Sequence, residues 1–147
     1  IPEASVAELD RLTPERIIVL GGPLAVDESV VTQLQEFTTA QTPASVTRVW
    51  GQSAYDTAVE ISKMAYPSGA PLVYLATGGT FPDALAASPV AGSRSAPILL
   101  LPPTGTVPAN VAEDIRRLAP QHVVVLGGEL AITASQYDAV ASLLTTP

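Results

Sequence analysis

Three times along this chain a short, nearly continuous apolar run leads into a pair of glycines: Arg16-Ile17-Ile18-Val19-Leu20 before Gly21-Gly22, Leu72-Val73-Tyr74-Leu75-Ala76 and then Thr77 before Gly78-Gly79, and His122-Val123-Val124-Val125-Leu126 before Gly127-Gly128. Runs of this length without alternation are the pattern of strands buried on both faces of a parallel sheet. The middle one is followed by a further run, Ile98-Leu99-Leu100-Leu101. Roughly twenty residues separate the two, enough for a helical crossover, which is expected to be right-handed. Gly78-Gly79 lets the chain turn off the carboxyl end of its strand. Thr80 offers a side-chain oxygen as a helix cap, and Pro82 and Asp83 suit a first helical turn. The helix therefore starts over the strand ends, the edge where open α/β sheets usually bind ligands.

The remainder alternates in the same way. Pro2 to Leu12 places Val6, Leu9 and Leu12 at helical spacing,. Asp27 can cap a helix from Glu28 to about Thr39, with Val30, Val31, Leu34 and Phe37 inward,. Ser45 to Trp50 reads as a short strand, at the sheet edge because Thr47 and Arg48 interrupt its apolar character,. Gly51 ends it, and Ser53 or Asp56 caps a helix carrying Ala58, Ile61, Met64 and Ala65. Pro108 begins another helix, to Leu118, and the last runs from about Ala134 to Leu144. Strand and helix alternate throughout, the signature of an α/β fold, here a doubly wound, mostly parallel sheet with helices on both faces.

The chain also repeats. At a constant offset of 106 positions, residues 1 to 41 match residues 107 to 147: Pro2 with Pro108, Arg11-Leu12 with Arg117-Leu118, Val19-Leu20-Gly21-Gly22 with Val125-Leu126-Gly127-Gly128, Leu24-Ala25 with Leu130-Ala131. An ungapped match over turn glycines and core positions together marks an internal repeat, of domain size rather than a solenoid rung. At 147 residues the chain can bury one good core, and we expect a single α/β unit of which 1–41 closes a preceding repeat and 42–147 is a complete one,.

Composition excludes several functions. There is no cysteine, so disulfides, zinc-thiolate sites and thiol nucleophiles are excluded,. A net charge of −7 with only seven Lys and Arg leaves no basic groove for nucleic acid,. No apolar run is long enough to insert in a membrane, and the first residues lack the basic start and apolar core of a signal peptide,. The single histidine, His122, lies at the start of its strand, opposite the glycine turns. A Ser-His-Asp constellation therefore has no base where one is needed, and there is no G-x-S-x-G elbow. None of the turns makes a dinucleotide fingerprint or a P-loop. Strand ends reading Leu-Gly-Gly, Thr-Gly-Gly and Leu-Pro-Pro offer no carboxylates for a metal,. No catalysis, no metal and no cofactor are expected.

What remains is a binding edge. Gly21, Gly22, Gly78, Gly79, Gly127 and Gly128 can present backbone N–H groups to a phosphate or sugar, or simply serve the turns,. Thr80 and Asp83 stand at the start of the central helix, where Asp83 would meet sugar hydroxyls rather than phosphate, or only the helix dipole,. Tyr55 and Thr57, after Gly51, can offer hydroxyls to a glycan, although Tyr is equally an amphipathic core residue,. Arg48 is the cation nearest these turns in sequence, and Trp50 is either a sugar-stacking ring or a packing one.

Three stretches together resemble the cell-wall-binding repeat 2 family: Gly51-Gln52-Ser53-Ala54-Tyr55-Asp56-Thr57-Ala58, Thr77 to Pro89 leading to Ala96-Pro97-Ile98-Leu99-Leu100, and the strand-Gly-Gly segments. They cover nearly the whole chain in the family's order. The resemblance implies a Toprim-like, Rossmann-like module of exported Gram-positive proteins, often present in threes. It would act outside the cell, tethering its protein non-covalently to an anionic cell-wall polymer such as a teichoic acid, with neighbouring repeats or a homo-trimer as further partners. Where the family carries an acidic residue and an arginine just before the tyrosine, this chain has Ser53-Ala54. The alternative readings are a self-assembling surface-protein module, and a glycan-binding or hydrolytic α/β domain.

Overall fold

The computed structural model describes residues 1–145. The chain divides into two compact units, Ile1–Gln52 and Ser53–Pro147. The first holds helix α1 (Glu3–Leu12), strand β1 (Ile17–Leu20), helix α2 (Glu28–Leu34) and strand β2 (Val46–Val49). The second holds α3 (Ala54–Ala65), β3 (Leu72–Thr77), α4 (Pro82–Ser93), β4 (Ile98–Leu101), α5 (Ala109–Leu118), β5 (His122–Val125) and α6 (Ala134–Thr145). The fold is α/β, with strands alternating with helices and every strand pair parallel.

In the second unit the strand order is β4-β3-β5. The central position of β3 follows from its composition, since Val73 to Thr77 are all buried and only a strand covered on both faces keeps such a run from water,. Period-two alternation divides its side chains. Val73 and Leu75 face a large core with Val59 of α3, Val111, Ile115 and Leu118 of α5, and Val140 of α6,. Tyr74 faces the opposite, smaller cluster with Ala91 of α4 and Ala96. Helices thus cover both faces. Burying each of Leu75, Leu99 and Leu101 completely contributes about 1.5–3 kcal/mol,.

Helix α4 covers the smaller cluster weakly. It buries only Ala91 and carries Pro89 and Gly92 within its length. A Cβ added at Gly92 would meet nothing within 4 Å. Gly92→Ala is therefore expected to stabilise the second unit by about 0.5–1 kcal/mol, read as a higher urea midpoint at unchanged m-value.

In the first unit β1 pairs with β2, from Ile17 opposite Val46 to Leu20 opposite Val49. The strand at 46–49 thus pairs within the first unit, and the division into compact units falls at 52/53. Helix α2 is shorter than its apolar stripe suggests. It ends at Leu34 and passes into a 3₁₀ turn, Gln35–Phe37. Thr38 stops it: its hydroxyl donates to the Gln35 carbonyl at 2.9 Å and shares a 2.6 Å bond with Ser45, an alternative to continuing the helical ladder,.

Segments that match at the offset of 106 positions also share local backbone geometry. Pro2 and Pro108 precede α1 and α5 with φ/ψ of −60/144 and −58/142, and Thr13 and Ala119 end them in the left-handed region. Gly21 and Gly127 both take positive φ, 111 and 90. After each, a matching turn closes, Ala25 and Val26 donating to the Gly22 carbonyl as Ala131 and Ile132 donate to that of Gly128.

Candidate functional site

In the second unit the strand ends, two helix starts and the turn after β4 meet at one edge. The Gly78 N–H donates to the Leu101 carbonyl at 2.7 Å, tying the end of β3 to the end of β4. The ring of Tyr55, from the first turn of α3, lies against Gly78, where an added Cβ would stand 2.5 Å from Cε1. Gly79 is backed by Pro103, whose Cγ would be 3.1 Å from such a Cβ. At the end of β5, Gly127 admits the Asp83 carboxylate of α4, whose Oδ2 would lie 2.8 Å from a Cβ there. The edge thus brings together Tyr55, Gly78, Gly79, Asp83 and Gly127, and at Gly78 and Gly127 any added side chain would displace a neighbour. Gly128 and Thr80 are exposed beside it, and Thr57 is half-buried one turn into α3, its N–H donating to the Ser53 carbonyl.

Thr80 does not cap α4. The capping position is Phe81, with no side-chain hydrogen bond, and Pro82 occupies the first turn. Thr80 lies one residue too early for its hydroxyl to reach the helix amides. The start of α3 is better satisfied. Ser53 accepts from the Asp56 amide at 3.2 Å while its hydroxyl donates to Asp56 Oδ2 at 2.7 Å, a reciprocal cap,. The other oxygen of Asp56 accepts from Asn110 Nδ2 of α5 at 2.6 Å. Ser53, at the position of the family's acidic residue, thus holds the helix that carries Tyr55. The Asn110 contact was not legible, because it joins residues far apart in sequence and Asn110 stands in no motif.

The first unit has a separate strand-end edge, with Gly21, Gly22, Arg48 and Gly51. Arg48 donates to the Gly21 carbonyl at 2.7 Å and to the Val26 carbonyl at 2.8 Å, and lies 3.3 Å from Glu28. Its side chain is only 11% exposed. It is therefore held inward, as a strut between β2 and the turn after β1, rather than reaching into solvent. Asp27 caps α2, and the Ser29 hydroxyl and amide, with a smaller pull from Arg48, hold its carboxyl below the usual value. The Trp50 ring covers Gly22, where an added Cβ would lie 2.6 Å from Cε3. Gly51 follows β2, half-buried. His122 is exposed at the start of β5, the far end from the glycine turns.

A parallel α/β module with a glycine-lined edge at its strand ends is a binding architecture. The chain belongs to the family of cell wall binding domain 2 (CWB2), whose profile matches residues 48–137. It is 30% identical over 105 residues to the N-acetylmuramoyl-L-alanine amidase LytC of Bacillus subtilis, a match covering 71% of this chain and 21% of that protein. Among solved structures it resembles Cwp6 from Clostridium difficile, at 26% identity and a TM-score of 0.85 over 97% of this chain and 22% of that one. It also shares the fold of Cwp8 from the same organism, with 21% identity, a TM-score of 0.77, and coverage of 97% and 23%. The chain therefore spans about a fifth of the length of each of these relatives. Among the described residues no helix is long and apolar enough to cross a membrane, and no three His, Cys, Asp or Glu side chains gather to hold a metal ion.

Proposed function

We propose that this chain is a non-catalytic anchor that holds an anionic secondary cell-wall polymer, of the teichoic acid kind, at the outer surface of a Gram-positive cell. Membership of the cell wall binding family carries the reading. The edge formed by Gly78, Gly79 and Gly127, with Tyr55, Thr57, Thr80 and Asp83 around it, is the candidate contact. It offers backbone N–H groups and hydroxyls rather than cations, and with a net charge of −7 on the chain the grip of one module on a polyanion is weak,. Strength then comes from several modules in one array, 1–41 closing one repeat and 42–147 forming the next.

Sedimentation with cell-wall sacculi tests this. Pelleting is expected with intact walls, strongest for an array of three copies, and is expected to vanish when the phosphate-containing polymers are stripped and to weaken as salt rises. An array that stays in the supernatant with intact walls, or an isolated monomer that stays tightly bound in high salt, overturns the reading.

A second reading rests on the start of α4, where Phe81 (75%), at the capping position, and Leu85 (65%), one turn on, are exposed side by side,. An apolar face of that kind suits self-association, with trimers as the expected state. Light scattering on the isolated chain distinguishes it: concentration-independent trimers support assembly, and a strict monomer removes it.

A further inference from the structure

Two copies of the same strand-and-turn element occur here in different states. β1 with its turn (Ile17 to Val26) and β5 with its turn (Val123 to Ile132) match position by position in sequence and in turn geometry. β1 is paired with β2, and the Gly21 N–H donates to the Val49 carbonyl at 2.9 Å. β5 pairs with β3 on one side, and among the described residues no strand lies on its other side.

The main contacts of Arg48 and Trp50 beside β1 have open counterparts beside β5. Trp50 covers Gly22, whereas Gly128 has nothing within 4 Å of an added Cβ. Gly21 and Gly22 are half-buried and Val19 is buried, whereas Gly127 and Gly128 are exposed and Val125 is half-buried. The Arg48 guanidinium sits on the carbonyls of Gly21 and Val26. Their counterparts, Gly127 and Ile132, line a cavity of about 350 Å³ together with Val125, Gly128, Glu129 and Asp138. The ion-pair partner Glu28 corresponds to Ala134, but Glu129 and Asp138 put carboxylates on the same wall. The cavity thus lies at the positions equivalent to those that Arg48 occupies beside β1, and it carries two carboxylates.

We propose that the outer edge of β5 is the docking site for a β2-type strand donated by the repeat that follows in tandem, its arginine and tryptophan filling this cavity. Each complete sheet is then β4-β3-β5 plus a strand from the next repeat, and successive modules are joined by a shared sheet rather than by a flexible linker. Main-chain bonds along the edge give the affinity, and the arginine and tryptophan give the register. The inference goes beyond wall binding and does not depend on it.

The test is a full chain extended after Pro147 by a second copy of residues 42–52, which reproduces the spacing between β1 and β2. Hydrogen exchange of residues 123–127 and thermal unfolding are compared with the unextended chain, and light scattering reports the oligomeric state. The extension is expected to slow exchange of these amides at least about tenfold and to raise the Tm of the second unit by about 5 °C or more. Arg48→Ala and Trp50→Ala changes made together in the appended copy are expected to remove most of the gain. Unchanged exchange at β5 overturns the proposal, as does protection that survives the double change in full, or protection confined to a dimer while the monomer stays open.

Discussion

Arg117→Ala is expected to destabilise the second unit by about 3 kcal/mol, while Arg11→Ala, the same residue of the preceding repeat, leaves the unfolding midpoint unchanged. Both arginines sit three positions after a carboxylate on matching helices. Arg11 pairs with Glu8 at 2.6 Å, with side chains 67% and 53% exposed. Arg117 pairs with Asp114 at the same distance, but there the carboxylate is fully buried, and the guanidinium also donates to the Tyr66 carbonyl at 2.7 Å and to the Ser62 hydroxyl at 3.2 Å. The pair straps α5 to α3 from within the core. Asp114 Oδ2 already lacks a hydrogen-bond partner, so removing Arg117 leaves the whole buried carboxylate uncompensated,. The double change Asp114→Leu with Arg117→Met is expected to restore most of the loss, because two apolar groups leave no charge to desolvate. Urea denaturation measures these, Arg11→Ala through the first unit's transition and the other variants through the second's. A loss at Arg11 as large as at Arg117, or a double variant no better than the single, would show that the burial difference is not the cause.

Gly127→Val is expected to cost about 2–4 kcal/mol, combining strain with a clash. The residue sits at φ +90, a region a β-branched side chain avoids, and its new Cβ would lie 2.8 Å from both Ala131 Cβ and Asp83 Oδ2,. Because the Asp83 carboxylate would be pushed off the end of β5, wall sedimentation is expected to fall as well, at temperatures where the variant is still folded. Gly128→Ala is the control for stability. Its Cβ meets nothing within 4 Å and its φ is not positive, so the unfolding midpoint is expected to stay within about 0.5 kcal/mol of the parent,. A Gly127 variant as stable as the Gly128 one would mean that the turn re-forms around the added side chain.

Much of the fold was legible because it rests on local chemistry. The apolar runs marked where the strands fall, although only β3 is buried along its length while β1 and β5 leave Ile18, Leu20 and Val124 exposed, and the first glycine of the turns after β1 and β5 takes the positive φ such a turn needs; the left-handed ends of α1 and α5 fall on Thr13 and Ala119, which no local rule marked,. The site was legible only in outline. That Gly78 and Gly127 lie at strand ends follows from the pattern. That Tyr55 rests on the first and Asp83 on the second does not, because those contacts join separate elements across the edge. Thr80 shows the limit of local reading: a good capping residue stands one position from where α4 begins, and the turn after β3 decides that position. The early end of α2 shows it again, since the chain tightens into a 3₁₀ turn after Leu34 and turns extended at Thr38, whose hydroxyl is shared with Ser45 seven residues on.

By itself the sequence determined the α/β class, the strand directions and much of the turn chemistry, all of which depend on neighbours a few positions apart. Tertiary structure alone decided what each copy of the repeat experiences. The same Arg-carboxylate pair is solvated on α1 and buried on α5. The same turn is closed by Arg48 and Trp50 after β1 and open after β5. A residue's energy depends on what desolvates it, and desolvation comes from elements distant in the chain, so two nearly identical segments carry different stabilities and present different surfaces.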